Sequence, residues 1–334
     1  MPQSERMRVG INYTWAFNKY GLYFGPHWRE GESPRELDLD GWIEAFGDNL
    51  ARWRDLGVTV VRIFLLCNLQ NLGHAPHGLW RLPARLDPRF GEDWARMLAA
   101  AKTASVQLIP SLVDFCVANP LCGERAEQRH SIVVNPEVRE AFFEIAFAPL
   151  LDLARQCRDQ LFAWEMMNEP SWLVRWFWPG TLRPRWPSVR RSALRAFLTR
   201  GIQMADRAGF RSTVGHRYYS DRAWLPSGSV PQFHYYGRLF DPVRLPPSSG
   251  DILGEFSVKD GSEGGAWRWL PQAQDVTGRV RDRLLEAERL GYPMALLWPD
   301  APPFSIVPPH DPKITEEVAE GIRAFFRSSV RDPP

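Results

Sequence analysis

The sequence predicts a single (β/α)8 barrel across residues 1–334. Short apolar strand-like runs alternate with amphipathic helical runs along the whole chain, which is typical of α/β proteins. A helix–glycine–strand junction recurs three times, and the strand-like runs number eight. A doubly wound open sheet is the main rival, but it needs a glycine-rich phosphate loop after the first strand, and Gly10-Ile11-Asn12-Tyr13 does not supply one.

The first elements follow from residue spacing. A strand is predicted from Arg8 to Trp15, and a helix follows in which apolar residues recur at helical spacing, at positions 42, 46, 50 and 53. Leu56-Gly57 ends that helix, and the β-branched run 58–64 follows at once as a buried strand. The same junction occurs at Ala208-Gly209 and Leu290-Gly291, which lead into strands over 210–215 and 293–298.

Four further runs, at 106–113, 161–167, 230–235 and 251–256, bring the strands to eight. The gaps around the sixth strand are near the minimum for a crossover, so we expect helices there to be short or replaced by turns. In such a barrel the functional residues lie at the carboxyl ends of the strands.

Composition excludes several classes of partner. The net charge is +2, with 41 basic residues scattered among 39 acidic ones, so no basic stripe indicates nucleic acid or an anionic membrane. The start, from Met1 to Arg6, is polar, and no later segment has the length of apolar chain that spans a bilayer. We therefore expect a cytoplasmic protein with no membrane partner; secretion is the alternative if the natural chain carries a leader, and the oligomeric state is open.

The chain shows no pattern of a metal site. Its four cysteines, Cys67, Cys116, Cys122 and Cys157, lack the paired spacing of zinc ligands, and we interpret them as free thiols. His74, His77 and His130 lie in predicted loops and form no triad. No metal or cofactor is predicted.

Two glutamates end two of the apolar strands. The run 161–167 stops at Asn168-Glu169-Pro170, and a short strand after Asp251 carries Glu255. A carboxyl group where a buried strand meets its loop is partly desolvated, which suits a general acid. Two such groups facing one bond are the machinery of glycoside hydrolysis, and the expected partner is a carbohydrate.

Other polar and aromatic side chains end neighbouring strands and complete the candidate site. They are Trp15, Arg62, Asp114, Asn168, His216, His234, Tyr236 and Trp298. His216 and Asp114 fit the site or the scaffold equally well. Glu165 lies four residues before Glu169, inside the same strand, and we interpret it as a structural ion-pair partner because a buried charge needs pairing.

This ordered set resembles glycoside hydrolase clan A, and most of all family 5, over all eight predicted strands. The matching positions, from strand two to strand eight, are Arg62, Asn168-Glu169, His234-Tyr235-Tyr236, Glu255 and Trp298. The family usually has a histidine at the end of strand three, where this chain has Asp114. The run Trp164-Glu165-Met166-Met167-Asn168-Glu169 looks especially like β-mannanases.

The resemblance implies a role for each matching residue. Glu169 is the general acid and then the base, and Glu255 is the nucleophile of a mechanism that retains anomeric configuration. Arg62 and the Tyr236 hydroxyl donate to Glu255. Asn168 binds the sugar 2-hydroxyl and Trp298 stacks beneath the sugar, with a cis peptide to Pro299.

Several alternatives stay open at this point. One group of aromatic residues follows strand four. These residues either bind sugars or form a wall that narrows the cleft, or else they form a self-packed lid or an oligomer contact: Trp172, Trp176, Phe177, Trp178 and Trp186. A catalytically silent barrel that binds glycans or a protein partner is the rival function, because fold alone does not guarantee chemistry. A metal-dependent hydrolase would need histidines on strand one, and residues 12–15 offer none. The sugar, the linkage and endo or exo action are not determined.

Overall fold

The computed structural model describes most of the chain. The described residues are 6–13, 15–16, 19–20, 39–67, 69, 72, 81–118, 129–174, 189–236, 244–257, 275–298 and 316–328. For 15–16, 19–20, 39–42 and 257 only the backbone is described.

Eight parallel strands close into a barrel, as predicted. They are β1 (Arg8–Tyr13), β2 (Val58–Phe64), β3 (Gln107–Asp114), β4 (Trp164–Asn168), β5 (Ser212–His216), β6 (Gln232–His234), β7 (Ile252–Ser257) and β8 (Met294–Trp298). Each strand pairs with the next along the chain, and β8 pairs with β1 to close the ring. A separate two-stranded antiparallel ribbon joins Trp15–Ala16 to Lys19–Tyr20.

In the described part of the chain, seven helices lie between consecutive strands or follow one another there, and an eighth follows the last strand. They are α1 (Leu39–Asp55), α2 (Pro88–Thr103), α3 (Ser131–Val134), α4 (Pro136–Phe142), α5 (Ala148–Ala154), α6 (Arg191–Arg207), α7 (Val276–Arg289) and α8 (Glu316–Ser328). A π-helical segment, Phe143–Phe147, joins α4 to α5. Short 3₁₀ helices cover Phe115–Val117, Arg155–Gln160, Pro170–Leu173 and Tyr219–Ala223. Among the described helices, none is both long and apolar enough to cross a membrane.

The barrel interior changes from apolar to polar along the strands. A small buried cluster contains Val60, Ile109, Phe162, Ile252, Met294 and Leu296 at the amino-terminal half of the barrel. Because side chains two apart on a strand point to the same side, Arg62 follows Val60 into the interior one layer higher. The polar layer therefore lies toward the carboxyl ends, where barrel enzymes carry their sites.

Two local predictions are confirmed. Gly57, Gly209 and Gly291 adopt φ values of 93°, 78° and 81° at the three helix–strand junctions. These left-handed conformations disfavour residues that carry a Cβ. Between β5 and β6 the described chain has only the 3₁₀ helix Tyr219–Ala223, as the short gap indicated. The second gap beside β6 includes residues outside the described set.

The prediction of four free thiols is wrong for Cys116. This residue is disulfide-bonded, whereas Cys67 and Cys157 are free. Sequence spacing is a poor guide here because a disulfide requires only Cα atoms about 4.4–6.8 Å apart, which loops at a barrel rim can provide at any spacing.

Gly57 and Gly291 allow backbone strain to be separated from crowding. A Cβ at Gly57 would overlap the Phe326 ring, whereas a Cβ at Gly291 would meet no atom within 4 Å. We expect Gly291→Ala to lower the free energy of unfolding by about 1–2 kcal/mol through left-handed strain alone. Gly57→Ala should cost about 1–3 kcal/mol more because the ring must move. Urea denaturation measures the free energy of unfolding of both variants. Equal losses would show that the Phe326 ring moves aside at no measurable cost.

Candidate active site

Three buried side chains from β4, β6 and β7 converge at the carboxyl end of the barrel. Carboxylate oxygens of Glu169 and Glu255 and a ring nitrogen of His234 lie within 4.8 Å of one another. The exposed fractions are 6% for Glu169, 3% for Glu255 and 0% for His234. The structure thus brings together the two carboxyl groups that the strand ends predicted.

Arg62 lies beneath this pair and is completely buried. Its guanidinium donates to Glu165 through Nε at 2.7 Å and Nη2 at 2.6 Å, which is the two-pronged geometry that suits a carboxylate. Nη1 donates to Glu255 Oε1 at 2.6 Å and to Asn12 Oδ1 at 2.9 Å. Nη2 also donates to Asn168 Oδ1 at 2.6 Å. One cation therefore links β1, β2, β4 and β7.

Glu165 is the structural partner that the sequence indicated. Besides the Arg62 fork, it accepts hydrogen bonds from Ser111 Oγ at 2.9 Å and Gln232 Nε2 at 2.7 Å. The adjacent β5 position must be small, because a Cβ at Gly215 would lie 2.9 Å from Glu165 Oε1. Glu165 is surrounded by donors inside the barrel and is 0% exposed.

Glu255 is bound by the donors that the family resemblance implied. The Tyr236 hydroxyl donates to Glu255 Oε2 at 2.5 Å, and Arg62 reaches the other oxygen at 2.6 Å. His234 Nδ1 lies 3.3 Å from Oε2. Both oxygens of Glu255 are therefore held by neighbouring groups, which fixes the orientation of this carboxyl group.

Glu169 occupies a turn rather than the strand itself. Its φ and ψ of 44° and 50° are left-handed, an uncommon and costly conformation for a residue other than glycine. Its N–H donates to the Gly215 carbonyl at 2.8 Å, which anchors the turn on β5. The side chain lies 3.0 Å from His234 Nδ1 through Oε1, and Oε2 accepts from Trp172 Nε1 at 2.5 Å.

Asp114 acts on the site through Asn168. Its Oδ2 accepts from Asn168 Nδ2 at 2.6 Å, and its Oδ1 accepts from the Cys116 N–H at 2.7 Å. Because Arg62 donates to the oxygen of the same amide, the orientation of Asn168 is fixed from both ends. Asp114 is thus completely buried and orients a neighbouring side chain.

His216 is completely buried, and its Nε2 lies 3.1 Å from Ser227 Oγ. Burial, with the nearby His234 and Arg222 as smaller causes, lowers the pKa of His216 to about 3, so the ring is neutral at ordinary pH. Burial also raises the pKa of Asp221, and the charge of Glu169 raises it further, while Ser171, the Tyr218 N–H and Arg217 oppose the shift.

The remaining sequence candidates divide between described and undescribed residues. Trp298 ends β8 and is half-buried. Trp15 pairs with Tyr20 in the two-stranded ribbon, where only the backbone is described. Trp176, Trp178 and the bond to Pro299 lie outside the described residues.

Sequence reasoning missed four members of the network: Asn12, Ser111, Gln232 and the donor role of Trp172. Gln232 lies two residues before His234 on β6 and therefore shares its face, so periodicity alone could have found it. Asn12 donates to the Gly254 and Leu297 carbonyls at 3.0 and 3.1 Å, and no short motif signals such contacts.

Two groups of side chains in the described part of the chain are close enough to share a metal ion. They are Glu169 with His234 and Glu255, and Cys67 with Asp114 and Cys116. The second includes the disulfide-bonded Cys116, whose sulfur is then not a thiolate ligand. In the first, the guanidinium of Arg62 already provides a positive charge 2.6 Å from Glu255.

No family model and no curated protein matches this chain in sequence. In structure it is similar to an endo-1,4-β-mannanase from Eisenia fetida, with a TM-score of 0.68, 17% identity and coverage of 97% of this chain and 92% of that one. It is also similar to a β-mannanase from the blue mussel Mytilus edulis, with a TM-score of 0.66, 15% identity and coverage of 95% and 91%. A third similar structure is GH5_18 from Streptomyces cattleya in complex with Manb1-4GlcNAc, with a TM-score of 0.61, 15% identity and coverage of 98% and 82%. These similarities confirm the barrel fold over nearly the whole chain.

The ion pair of Arg62 and Glu165 can be tested against an exposed pair of equal length. Arg62–Glu165 and Arg200–Glu140 both have an N–O distance of 2.6 Å, but the side chains of the first are 0% exposed and those of the second are 26% and 46% exposed. We expect Glu165→Gln to lower the free energy of unfolding by about 3–5 kcal/mol, because it leaves a buried guanidinium undercompensated. Glu140→Gln should cost less than about 1 kcal/mol. Comparable losses in urea denaturation would contradict this assignment.

His216 should make the protein acid-sensitive. Its folded-state pKa is depressed below the ordinary 6.5, to about 3, so on acidification the unfolded state gains a proton first. The stability that this neutral ring contributes is therefore complete above pH 6.5 and is lost progressively as the pH falls toward 3. We expect the melting temperature of His216→Gln to fall less than that of the native protein between these pH values. His130→Gln is the control, and a His216→Gln curve parallel to the native one would refute the argument.

Proposed function

We propose that this protein is a retaining β-glycoside hydrolase that acts on β-linked oligo- or polysaccharides. The observation that carries the proposal is the buried pair of Glu169 and Glu255, with carboxylate oxygens within 4.8 Å. Carboxyl groups about 5–5.5 Å apart leave no room for water between nucleophile and sugar, whereas inverting enzymes need about 6.5–9.5 Å.

In the first step Glu255 attacks the anomeric carbon while Glu169 protonates the departing glycosidic oxygen. The bond from carbon to the leaving oxygen breaks as the ester to Glu255 forms. Arg62 and Tyr236 donate to the two oxygens of Glu255 at 2.6 and 2.5 Å, which holds this carboxyl group in a fixed orientation for the attack.

In the second step water replaces the enzyme at the anomeric carbon. Once Glu255 is a neutral ester, its negative charge no longer opposes ionisation of Glu169, which can take a proton from the water. The ester bond breaks and Glu255 leaves as a carboxylate. Two displacements at one carbon give net retention of configuration.

Asn168 and Trp298 hold the sugar in this proposal. The Asn168 amide is fixed by Arg62 and Asp114, so it presents a rigid hydrogen-bonding group for the sugar 2-hydroxyl, a contact that strengthens in the transition state. Half-buried Trp298 provides an aromatic surface at the end of β8.

We propose β-mannosidic linkages as the first substrates to test, with β-glucosidic ones second. Support comes from similar structures named as β-mannanases and from one that holds Manb1-4GlcNAc. Location in the cytoplasm stays a prediction, and the disulfide at Cys116 weighs against it, because such bonds are rare in reducing compartments.

Hydrolysis of aryl β-glycosides and of β-mannan and β-glucan oligosaccharides tests the proposal, with product anomers followed by NMR. We expect retention, loss of activity in Glu255→Gln, and a loss of about 10²–10⁴-fold in Glu169→Gln. Glu140→Gln, a half-exposed glutamate paired with Arg200, should keep native activity. An inactive native protein would favour the silent glycan-binding barrel, and inversion would exclude the covalent step.

A further inference from the structure

Trp172 is not available as a sugar platform, because its ring is covered by protein groups. The Arg217 guanidinium lies 3.3 Å from the ring centroid, which takes the space that a stacked sugar would need on that face. Phe115 stacks on the same indole with centroids 5.6 Å apart and planes at 30°. The edge of the ring points its N–H at Glu169 Oε2, 2.5 Å away.

Local structure explains this contact. Trp172 lies three residues after Glu169, within the 3₁₀ helix Pro170–Leu173, and side chains at that separation eclipse one another. The backbone N–H of Trp172 donates to the backbone carbonyl of Glu169 at 3.1 Å. The same turn therefore fixes Trp172 relative to Glu169 through the backbone as well as through the indole N–H. Phe115 follows β3 and Arg217 follows β5, so the loops on both sides of β4 hold the indole.

We propose that Trp172 is a positioning residue that fixes the carboxyl group of Glu169 for proton transfer. An indole N–H can only donate a hydrogen bond, so Glu169 Oε2 must be the acceptor in this contact. The contact therefore restricts rotation of the Glu169 carboxyl group. His234 Nδ1 lies 3.0 Å from the other oxygen and restricts it from the opposite side. This inference rests on the proposed function, because it assigns Glu169 a proton to deliver.

The test compares β-mannosides whose leaving groups differ in their need for that proton. The dinitrophenolate group of a 2,4-dinitrophenyl β-mannoside leaves without protonation. The leaving group of a methylumbelliferyl or disaccharide β-mannoside depends more strongly on the general acid. We expect Trp172→Phe to lower kcat/KM about 10–100-fold for the dependent substrate, as misplacement of a catalytic group does. The loss on the dinitrophenyl substrate should be less than about threefold, since the nucleophile is untouched. Glu169→Gln should show the same selectivity with a larger loss.

A second variant and a matched control keep the test decisive. Benzothienylalanine at position 172, introduced by nonsense suppression, replaces the indole N–H by sulfur and preserves the ring packing if Trp172→Phe folds poorly. Trp224→Phe is the control, because Trp224 is also half-buried beneath an arginine, with Arg191 4.8 Å from its ring centroid, and should keep native rates.

The outcomes separate the two proposals. A native protein inactive on every substrate defeats the proposed function. If the native protein is active and Glu169→Gln is selective, equal losses on both substrates in the Trp172 variants would make Trp172 merely structural. Native rates in the benzothienylalanine variant would likewise overturn the inference.

Discussion

The structure of this site depends on a single buried guanidinium. Arg62 is 0% exposed, and an isolated charge in a barrel interior would cost several kcal/mol in lost hydration. Arginine suits this place because its planar fork can serve several acceptors at fixed angles. The Arg62 guanidinium binds Glu165 through two of its nitrogens and Glu255 through the third. The ion pair with Glu165, which lies deeper in the barrel, therefore helps to fix the position of the proposed nucleophile. The chemistry at the rim therefore rests on the polar layer below it.

Three buried glutamates share this interior, and their surroundings differ. Glu165 accepts from Arg62, Ser111 and Gln232 and has no exposed surface, so it suits a structural role as the partner of Arg62. Glu169 and Glu255 lie at the carboxyl ends of the strands and have 6% and 3% of their surface exposed. Glu165 lies only four residues before Glu169 in the chain. This short distance separates a structural carboxylate from the carboxyl groups that are proposed to react. Environment, rather than residue type, assigns the roles.

Much of this arrangement could be predicted from sequence, because strand periodicity and strand ends determine it. All eight strands are predicted within a few residues of their observed bounds, and the convergence of Glu169 and Glu255 follows from the place of Glu169 just after β4 and of Glu255 on β7. The Trp172 contact could not be predicted, since it depends on how loops from two neighbouring strands cover an indole. The disulfide at Cys116 could not be predicted either, because such a bond depends on the distance between two Cα atoms and not on the spacing of cysteines in the sequence.

The buried charges also bear on the choice between an enzyme and a silent barrel. A barrel that only needed to be stable would gain from replacing such ions by well-packed apolar side chains, which is often neutral or stabilising by about 1–4 kcal/mol. This chain instead keeps Arg62, Glu165 and Glu255 bonded at 2.6 Å and holds Glu169 in a strained left-handed conformation. Strain and buried charge together are costly for folding alone, and they are what a preorganised electrostatic site requires. The balance of physical costs favours catalysis as the reason for the network.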